Sequence, residues 1–105
     1  MGSVIDSLSF THVEGSRTEH EVVLYALSTC AFCKKGIDFL SDSGVDFKYI
    51  YLDELDIEVK REVKSELKSQ FDNLVVFPVL VVDNKRALTG FTKDQWESAL
   101  GLRQS

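Results

Sequence analysis

The chain lacks several features that would place it in common classes of protein. Its 105 residues contain no apolar run near the roughly 20 residues needed to cross a bilayer, and no apolar segment typical of a secretory signal. Lys and Arg number 12 against 17 Asp and Glu, so the net charge is −5. Nucleic acid requires a basic face, which this composition does not favour. We therefore expect a cytoplasmic protein that binds neither membranes nor nucleic acid.

Cysteine and proline are also scarce, so the positions they occupy carry information. The only cysteines are Cys30 and Cys33, and the only proline is Pro78. Structural disulfides are disfavoured in the cytoplasm, where a C-x-x-C pair indicates catalysis or metal binding. A chain of this length predicts a single folded domain. We place that domain at residues 21–105, after an N-terminal extension at residues 1–20.

The residues around the cysteine pair predict a strand, a helix and a second strand in succession. Residues 22–27 are apolar throughout, as in a strand buried on both faces. A helical pattern then runs from Cys30 to Ser43, and Gly44 is suited to end it. Residues 46–52 indicate the second strand. Because this βαβ unit spans about 30 residues, we expect its strands to be parallel.

A long helix is predicted next. Apolar residues recur every four positions from Leu55 to Phe71, which gives one apolar stripe on a helix over residues 53–71. Asp53 and its acidic neighbours then lie in the first turn, where they complement the helix macrodipole.

A hairpin and a final helix complete the pattern. Residues 79–88 indicate two short strands joined by a tight turn. The segment Thr92–Gln95 fits a capping box, with Phe91 packing on Trp96 across it, and Gly101 ends the helix. The order β-α-β-α-β-β-α predicts an α/β three-layer sandwich with a mixed four-stranded sheet. The alternating segment 7–13 can add an N-terminal strand.

The cysteine spacing suits reversible disulfide chemistry. Thiols at positions i and i+3 of a helix start lie on one face, close enough to form a disulfide. Helix N-terminal N–H groups stabilise a negative sulfur by roughly 0.3–2 kcal/mol. We therefore expect Cys30 to be the exposed nucleophile and Cys33 the resolving thiol. Lys34 can lean back towards the thiolate, or be solvated. Phe32 can cover the disulfide as part of a docking surface, or belong to the core.

Pro78 interrupts an apolar run that otherwise has the pattern of a strand. Proline cannot donate a hydrogen bond to a sheet ladder, so it belongs at a strand start or a bend. We predict a cis peptide bond at this position, since cis bonds in proteins are essentially confined to X-Pro.

These motifs together resemble the glutaredoxin branch of the thioredoxin fold. The resemblance covers residues 22–101 and rests on the strand–C-x-x-C–helix unit, on Phe77-Pro78 before a strand, and on Thr89-Gly90-Phe91 before the last helix. It implies a thiol–disulfide oxidoreductase whose redox-active group is the Cys30–Cys33 disulfide, with no other cofactor. It also implies a cis-proline beside the disulfide. The substrate-binding residues would be Thr29, Phe32, Lys34, Phe77, Pro78, Gly90, Phe91 and Asp94.

The sequence departs from that family where glutathione would be bound. Leu27 replaces a common glutathione-binding lysine, Val76 replaces a threonine, and Phe91 replaces the second glycine of a Gly-Gly pair. Ala31 replaces the usual proline of the cysteine motif. The Gly90-Phe91 pair is closer to the redoxins that serve ribonucleotide reductase. We therefore predict a monomer that reduces protein disulfides and receives electrons from a thioredoxin-reductase-type protein, with glutathione as the alternative reductant.

Three other interpretations remain open. His12 and His20 can in principle join the cysteines in a tetrahedral zinc site, although their spacing matches no common zinc module. An iron–sulfur cluster can be bridged between two chains through Cys30, as in some glutaredoxins. The third alternative is a redox-inert interaction module in which both thiols are packed in the core. Thioredoxin itself is less similar, because Thr29 replaces its tryptophan and Leu24 its buried aspartate.

Overall fold

A computed structural model describes residues 8–70, 77–83 and 85–101. They form a mixed five-stranded sheet with helices on both faces, which confirms the predicted βαβαββα order and the additional N-terminal strand. A single 3-10 turn at Leu52–Glu54 lies between the third strand and the second helix. The elements are β1 Thr11–Val13, β2 Val22–Ala26, α1 Ala31–Asp42, β3 Phe47–Tyr51, α2 Ile57–Gln70, β4 Val79–Val82, β5 Arg86–Thr89 and α3 Lys93–Leu100.

The strand order in the sheet is β1-β3-β2-β4-β5, which places β2 at the centre. Strand β2 is parallel to β3, as the βαβ pattern predicts, and antiparallel to β4. Strands β4 and β5 form the predicted hairpin, and β1 pairs antiparallel with β3 at the sheet edge. The C-terminal ends of β2 and β3 therefore lie at one end of the sheet, and their N-terminal ends at the other.

The side chains of β2 alternate between two cores. Val22 and Leu24 pack into a cluster with Leu40 of α1 and with Trp96 and Leu100 of α3. The other face of the sheet packs against α2, and its cluster contains Val23, Tyr25, Val63 and Leu67. All five residues of β2 are buried, because each face of the strand is covered by a helix. The three predicted layers are therefore present.

The predicted start of the second helix is wrong. The chain makes a 3-10 turn after β3, and α2 begins only at Ile57, so Asp53 and Glu54 do not lie in its first turn. The carboxylate of Asp53 instead accepts hydrogen bonds from Ser28 after β2. This long-range contact holds Asp53 at the end of the sheet. The predicted helix end at Phe71 lies outside the described residues.

The predicted capping box of α3 is also wrong. Thr92 is the N-cap residue, but its side chain makes no capping hydrogen bond. The predicted hydrophobic contact across it is confirmed, because the rings of Phe91 and Trp96 meet edge to face with centroids 4.9 Å apart. Gly101 ends the helix with a left-handed φ of 69°, a conformation that glycine adopts without strain.

Residues before β2 belong to the same body as the sheet. Leu8 and Phe10 pack against the α2-side cluster, and Phe10 meets Tyr25 edge to face. Arg17 forms an isolated parallel bridge with Val45. Among the described residues no helix is long and apolar enough to cross a membrane. The domain boundary at residue 20 remains a prediction.

Candidate active site

Cys30 is the N-cap residue of helix α1. The chain turns directly after β2, where the Cys30 N–H donates to the Leu27 carbonyl at 3.1 Å. Cys30 is extended, with φ −95° and ψ 117°, and its Sγ accepts a hydrogen bond of 3.2 Å from the Cys33 N–H. The sulfur thereby occupies the position of an N-cap side chain. This half-buried sulfur therefore accepts one N–H of the helix start.

Cys33 lies one turn further along α1 and is fully buried. Burial, followed by hydrogen bonding to Cys30, raises the pKa of the Cys33 thiol to about 12. Both cysteines are free thiols. The pair therefore consists of one accessible sulfur and one protected, protonated thiol.

The predicted cis peptide bond joins Phe77 to Pro78 at the start of β4. Pro78 is fully buried, and its carbonyl accepts a hydrogen bond of 2.8 Å from the Gly90 N–H. The Gly90 carbonyl in turn accepts from Trp96 Nε1 at 3.1 Å. These bonds tie the start of β4 to the segment before α3. Helix α1 packs here through Gly36, where a Cβ would lie 3.7 Å from Pro78 Cγ.

The other predicted site residues differ in their exposure. Thr29, Lys34 and Asp94 are exposed, and none of the three has a side-chain hydrogen bond or ion pair with the described residues. Phe32 is 58% exposed, and Lys35 Nζ lies 5.4 Å from its ring centroid. A large exposed aromatic between the two cysteines presents apolar area beside the nucleophile.

Two predicted aromatic residues are partly buried in the structure. Phe91 packs against Trp96 and, with ring centroids 5.6 Å apart, against Phe39 of α1. Phe77 packs at the edge of the α2-side core, and Lys64 Nζ lies 5.7 Å from its ring centroid. Phe91 therefore fills space between α1 and α3. Val76 lies outside the described residues.

Sequence reasoning missed Ser28, Asp53 and Tyr51. The Asp53 carboxylate accepts from the Ser28 N–H at 2.9 Å and from the Ser28 hydroxyl, which lowers the pKa of Asp53. Burial, with smaller contributions from charges that include Cys33 and Asp53, raises the pKa of Tyr51. Asp53 directly follows a strand parallel to β2, so its position at the same sheet end was an available signal.

The two histidines lie at the other end of the sheet. His12 Nε2 is 3.0 Å from both carboxylate oxygens of Asp46, and His20 Nδ1 is 2.7 Å from Asp83. The described part of the chain contains no cluster of three or more His, Cys, Asp or Glu residues able to hold a metal ion. The histidines are thus paired with aspartates and are not brought to the cysteines.

A C-x-x-C motif at the start of a helix, with a cis-proline at the start of a strand antiparallel to β2, defines the thioredoxin-like class of folds. A scan against family models matches residues 22–87 to glutaredoxin, which is more than half of the chain. The chain belongs to the glutaredoxin family. The more specific resemblance to redoxins that serve ribonucleotide reductase remains a prediction.

Three archaeal structures are similar to this chain. A glutaredoxin from Methanosarcina mazei Go1 has 36% identity and a TM-score of 0.75, over 88% of this chain and 87% of that one. A methanoredoxin from Methanosarcina acetivorans has 38% identity and a TM-score of 0.70, over 77% and 84%. A glutaredoxin from Archaeoglobus fulgidus has 30% identity and a TM-score of 0.69, over 78% and 87%. No match was found among curated protein sequences.

Proposed function

We propose that this protein reduces protein disulfides by dithiol exchange through Cys30 and Cys33. The observation that carries the proposal is the unequal environment of the two thiols. Cys30 is partly accessible and its sulfur accepts an N–H of the helix start, whereas Cys33 is buried and protonated. The dithiol mechanism uses such a pair, one thiol that attacks the substrate disulfide and a second that resolves the mixed disulfide.

In the first step the Cys30 thiolate attacks one sulfur of the substrate disulfide. A mixed disulfide forms as the substrate S–S bond breaks, and the departing substrate thiolate takes up a proton. In the second step Cys33 loses its proton and attacks Cys30 Sγ. This step releases the second substrate thiol and leaves a Cys30–Cys33 disulfide. Two electrons pass to the substrate, and a reductant must return them to the protein.

The mixed disulfide prepares Cys33 for the second step. Two of the causes that raise its pKa come from Cys30, namely the hydrogen bond and the negative charge on that sulfur. Both disappear once Cys30 is bonded to the substrate, whereas burial remains. The pKa of Cys33 therefore falls when its thiolate is needed, and the resting thiol is protected from side reactions.

The substrate surface lies around Phe32 and the Phe77-Pro78 bond. Pro78 has no N–H to donate and its carbonyl is already bonded to Gly90, so an extended substrate segment would pair with the backbone of Phe77. Exposed Phe32 adds apolar contact beside Cys30. A surface of this kind suits a polypeptide substrate better than a small polar thiol.

For the reductant, we propose a protein of the thioredoxin-reductase type. Glutathione carries two carboxylates, and Leu27 offers no charge at the position where the family commonly has lysine. Phe91 is packed against Trp96 and Phe39, which fills the place of the second glycine. The carboxylate of Asp53 beside Ser28 adds negative charge to this end of the sheet.

The test of the exchange mechanism uses two variants and a protein disulfide such as that of insulin. We expect Cys30→Ser to abolish reduction, because the attacking sulfur is gone. Cys33→Ser should still form the first bond and accumulate a mixed disulfide, visible by mass spectrometry. Full activity of Cys30→Ser, or no trapped adduct with Cys33→Ser, would refute the mechanism.

The reductant is tested separately on the oxidised wild-type protein. Glutathione or a thioredoxin reductase with NADPH is added, and thiol release is followed in time. We expect the reductase to regenerate the dithiol at least about tenfold faster, since Leu27 lacks the charge of the family's lysine and the Phe91 ring fills the place of a glycine. Rapid reduction by glutathione alone would show that the protein is a glutathione-dependent glutaredoxin.

A further inference from the structure

Asp53 bridges two segments that are 25 positions apart and meet beside the cysteine pair. One carboxylate oxygen accepts the Ser28 N–H at 2.9 Å, and the other accepts the Ser28 hydroxyl. The carboxylate thus holds both the backbone and the side chain of a single residue. Ser28 lies in the short connection between Ala26, which ends β2, and Cys30, which starts α1.

This connection determines where the Cys30 sulfur lies. The turn is closed by one backbone hydrogen bond, from Cys30 to Leu27, and is otherwise exposed at Thr29. The sulfur reaches the Cys33 N–H only when Cys30 is extended at the helix start. A displacement of Ser28 therefore moves the Cys30 sulfur relative to the Cys33 N–H that it accepts.

The sequence pattern predicted Asp53 in the first turn of a helix, and the structure places it before that helix. The proposed exchange reaction does not involve its carboxylate. The charged and titratable groups around Asp53 are the Lys60 ammonium of α2, the Tyr51 phenol of β3, Glu54 of the 3-10 turn and the Cys33 thiol of α1. Asp53 has no strong cationic partner among them, and its hydrogen bonds go to Ser28.

We propose that Asp53 is a positioning residue for the exchange reaction, acting through Ser28 to hold the turn that presents the Cys30 sulfur. The inference rests on the proposed function, which makes Cys30 the nucleophile. Among the described residues the Asp53 carboxylate bonds to Ser28 and not to either cysteine sulfur. Its contribution is to reduce the number of conformations of the turn before the substrate arrives.

The experiment measures the second-order rate of Cys30 alkylation by iodoacetamide at pH 7 in the reduced protein. Asp53→Ala removes both the charge and the acceptor of Ser28, whereas Asp53→Asn removes only the charge. Asparagine still accepts from the Ser28 N–H and donates to the Ser28 hydroxyl. We expect Asp53→Ala to react about fivefold more slowly than Asp53→Asn, and Asp53→Asn to remain within about twofold of wild type.

Asp46 supplies the matched control at the other end of the sheet. Its carboxylate also accepts one backbone N–H, from Gly15, and one side-chain donor, from His12. We expect Asp46→Ala to lower the melting temperature by an amount similar to Asp53→Ala and to leave the alkylation rate within about twofold of wild type. This control separates a general loss of stability from a change at the turn.

Ser28→Ala provides a second measurement if Asp53→Ala does not fold. It retains the backbone bond to Asp53 and removes the hydroxyl, so we expect alkylation about twofold slower than wild type. Equal rates for Asp53→Ala, Ser28→Ala and wild type would overturn the proposal, as would an equal loss in Asp46→Ala. The alkylation rate is measured without a disulfide substrate. A wild-type protein that fails to reduce disulfides would therefore refute the exchange mechanism without changing the outcome of this test.

Discussion

Three aspartates hold the two ends of the central sheet with the same pattern of hydrogen bonds but with different donors. Each aspartate and its donors are called a clamp below. In each clamp an aspartate carboxylate accepts one backbone N–H and one side-chain donor from a segment at least 25 positions away. Two clamps lie where β2 and β3 begin, and one lies where they end, beside the cysteines. The pairs are Asp46 with His12, Asp83 with His20, and Asp53 with Ser28.

The difference between the ends is the range of pH in which each one weakens. The hydrogen bonds from His12, His20 and Ser28 lower the pKa of all three aspartates, so these clamps are lost as the pH falls below their ordinary value of 3.8. At the cysteine end, burial also raises the pKa of Cys33 and Tyr51. That end is therefore also weakened in alkali, because the buried Cys33 and Tyr51 must then ionise.

The largest effect is expected from Gly15→Ala at the histidine end. A Cβ on Gly15 would lie 2.4 Å from the backbone carbon of Val45 and 2.6 Å from the Asp46 nitrogen. Backbone atoms cannot move aside as a flexible side chain can, so we expect a loss of about 3 kcal/mol in the free energy of unfolding. Urea unfolding measures this loss.

The same variant tests the independence of the two ends. Cys30 alkylation in folded Gly15→Ala should remain within about twofold of wild type, since local changes at distant sites act additively. A large change in thiol reactivity would show that the histidine end controls the active site and would break the comparison.

The second prediction concerns alkaline stability at the cysteine end. The pKa of Cys33 rises from 9.0 to about 12 on folding, so its stabilising contribution is complete below pH 9 and is lost as the pH rises towards 12. The loss approaches but does not exceed about 1.4 kcal/mol per pH unit for this one group. Unfolding of the reduced protein between pH 8 and pH 11 should show it. Cys33→Ala should have a shallower slope, and an unchanged slope would contradict the assignment to Cys33.

The third prediction is that Gly36→Ala, in α1, lowers the free energy of unfolding by less than Gly15→Ala does. Alanine gains about 1 kcal/mol over glycine in a helix. Its Cβ would however lie 2.8 Å from Trp96 Cη2, and overpacking costs about 1–3 kcal/mol. We expect a net loss of about 1 kcal/mol by urea unfolding.

Fluorescence distinguishes the two glycine variants. The protein has one tryptophan, so a displaced ring should change the emission of Gly36→Ala and leave that of Gly15→Ala as in wild type. Unchanged emission in Gly36→Ala would show that α1, and not Trp96, accommodates the added methyl group.

The parts of the fold that sequence predicted correctly depend on local patterns. The apolar run of β2, the helix from Cys30, the hairpin and the contact of Phe91 with Trp96 all follow from residues near one another. The cis bond before Pro78 was predicted from a proline in a strand-like run. Neighbouring residues are enough to identify such elements, because each pattern fits one backbone conformation.

The errors concern polar side chains at predicted helix starts. Asp53 was assigned to a helix start by its acidic neighbours, and it binds Ser28 instead. Thr92 was assigned to a capping box, and its side chain makes no such bond. In both cases the local interaction is worth about 1 kcal/mol or less. For Asp53 the tertiary contact with Ser28, which the local pattern does not contain, decides the conformation.

The smallest effect is expected from Thr92→Ala at the start of α3, two residues after Gly90. A capping side chain is worth about 1 kcal/mol when it bonds to the helix, and Thr92 makes no such bond. We therefore expect a loss below about 0.5 kcal/mol by urea unfolding. Gly101→Ala at the other end of α3 is the control, because its φ of 69° should cost alanine about 1 kcal/mol although no atom of the described residues lies within 4 Å of the added Cβ. A larger loss for Thr92→Ala than for Gly101→Ala would show that Thr92 does cap α3. The start of α3 would then be held by two side-chain contacts, the Thr92 cap and the hydrogen bond from Trp96 to Gly90.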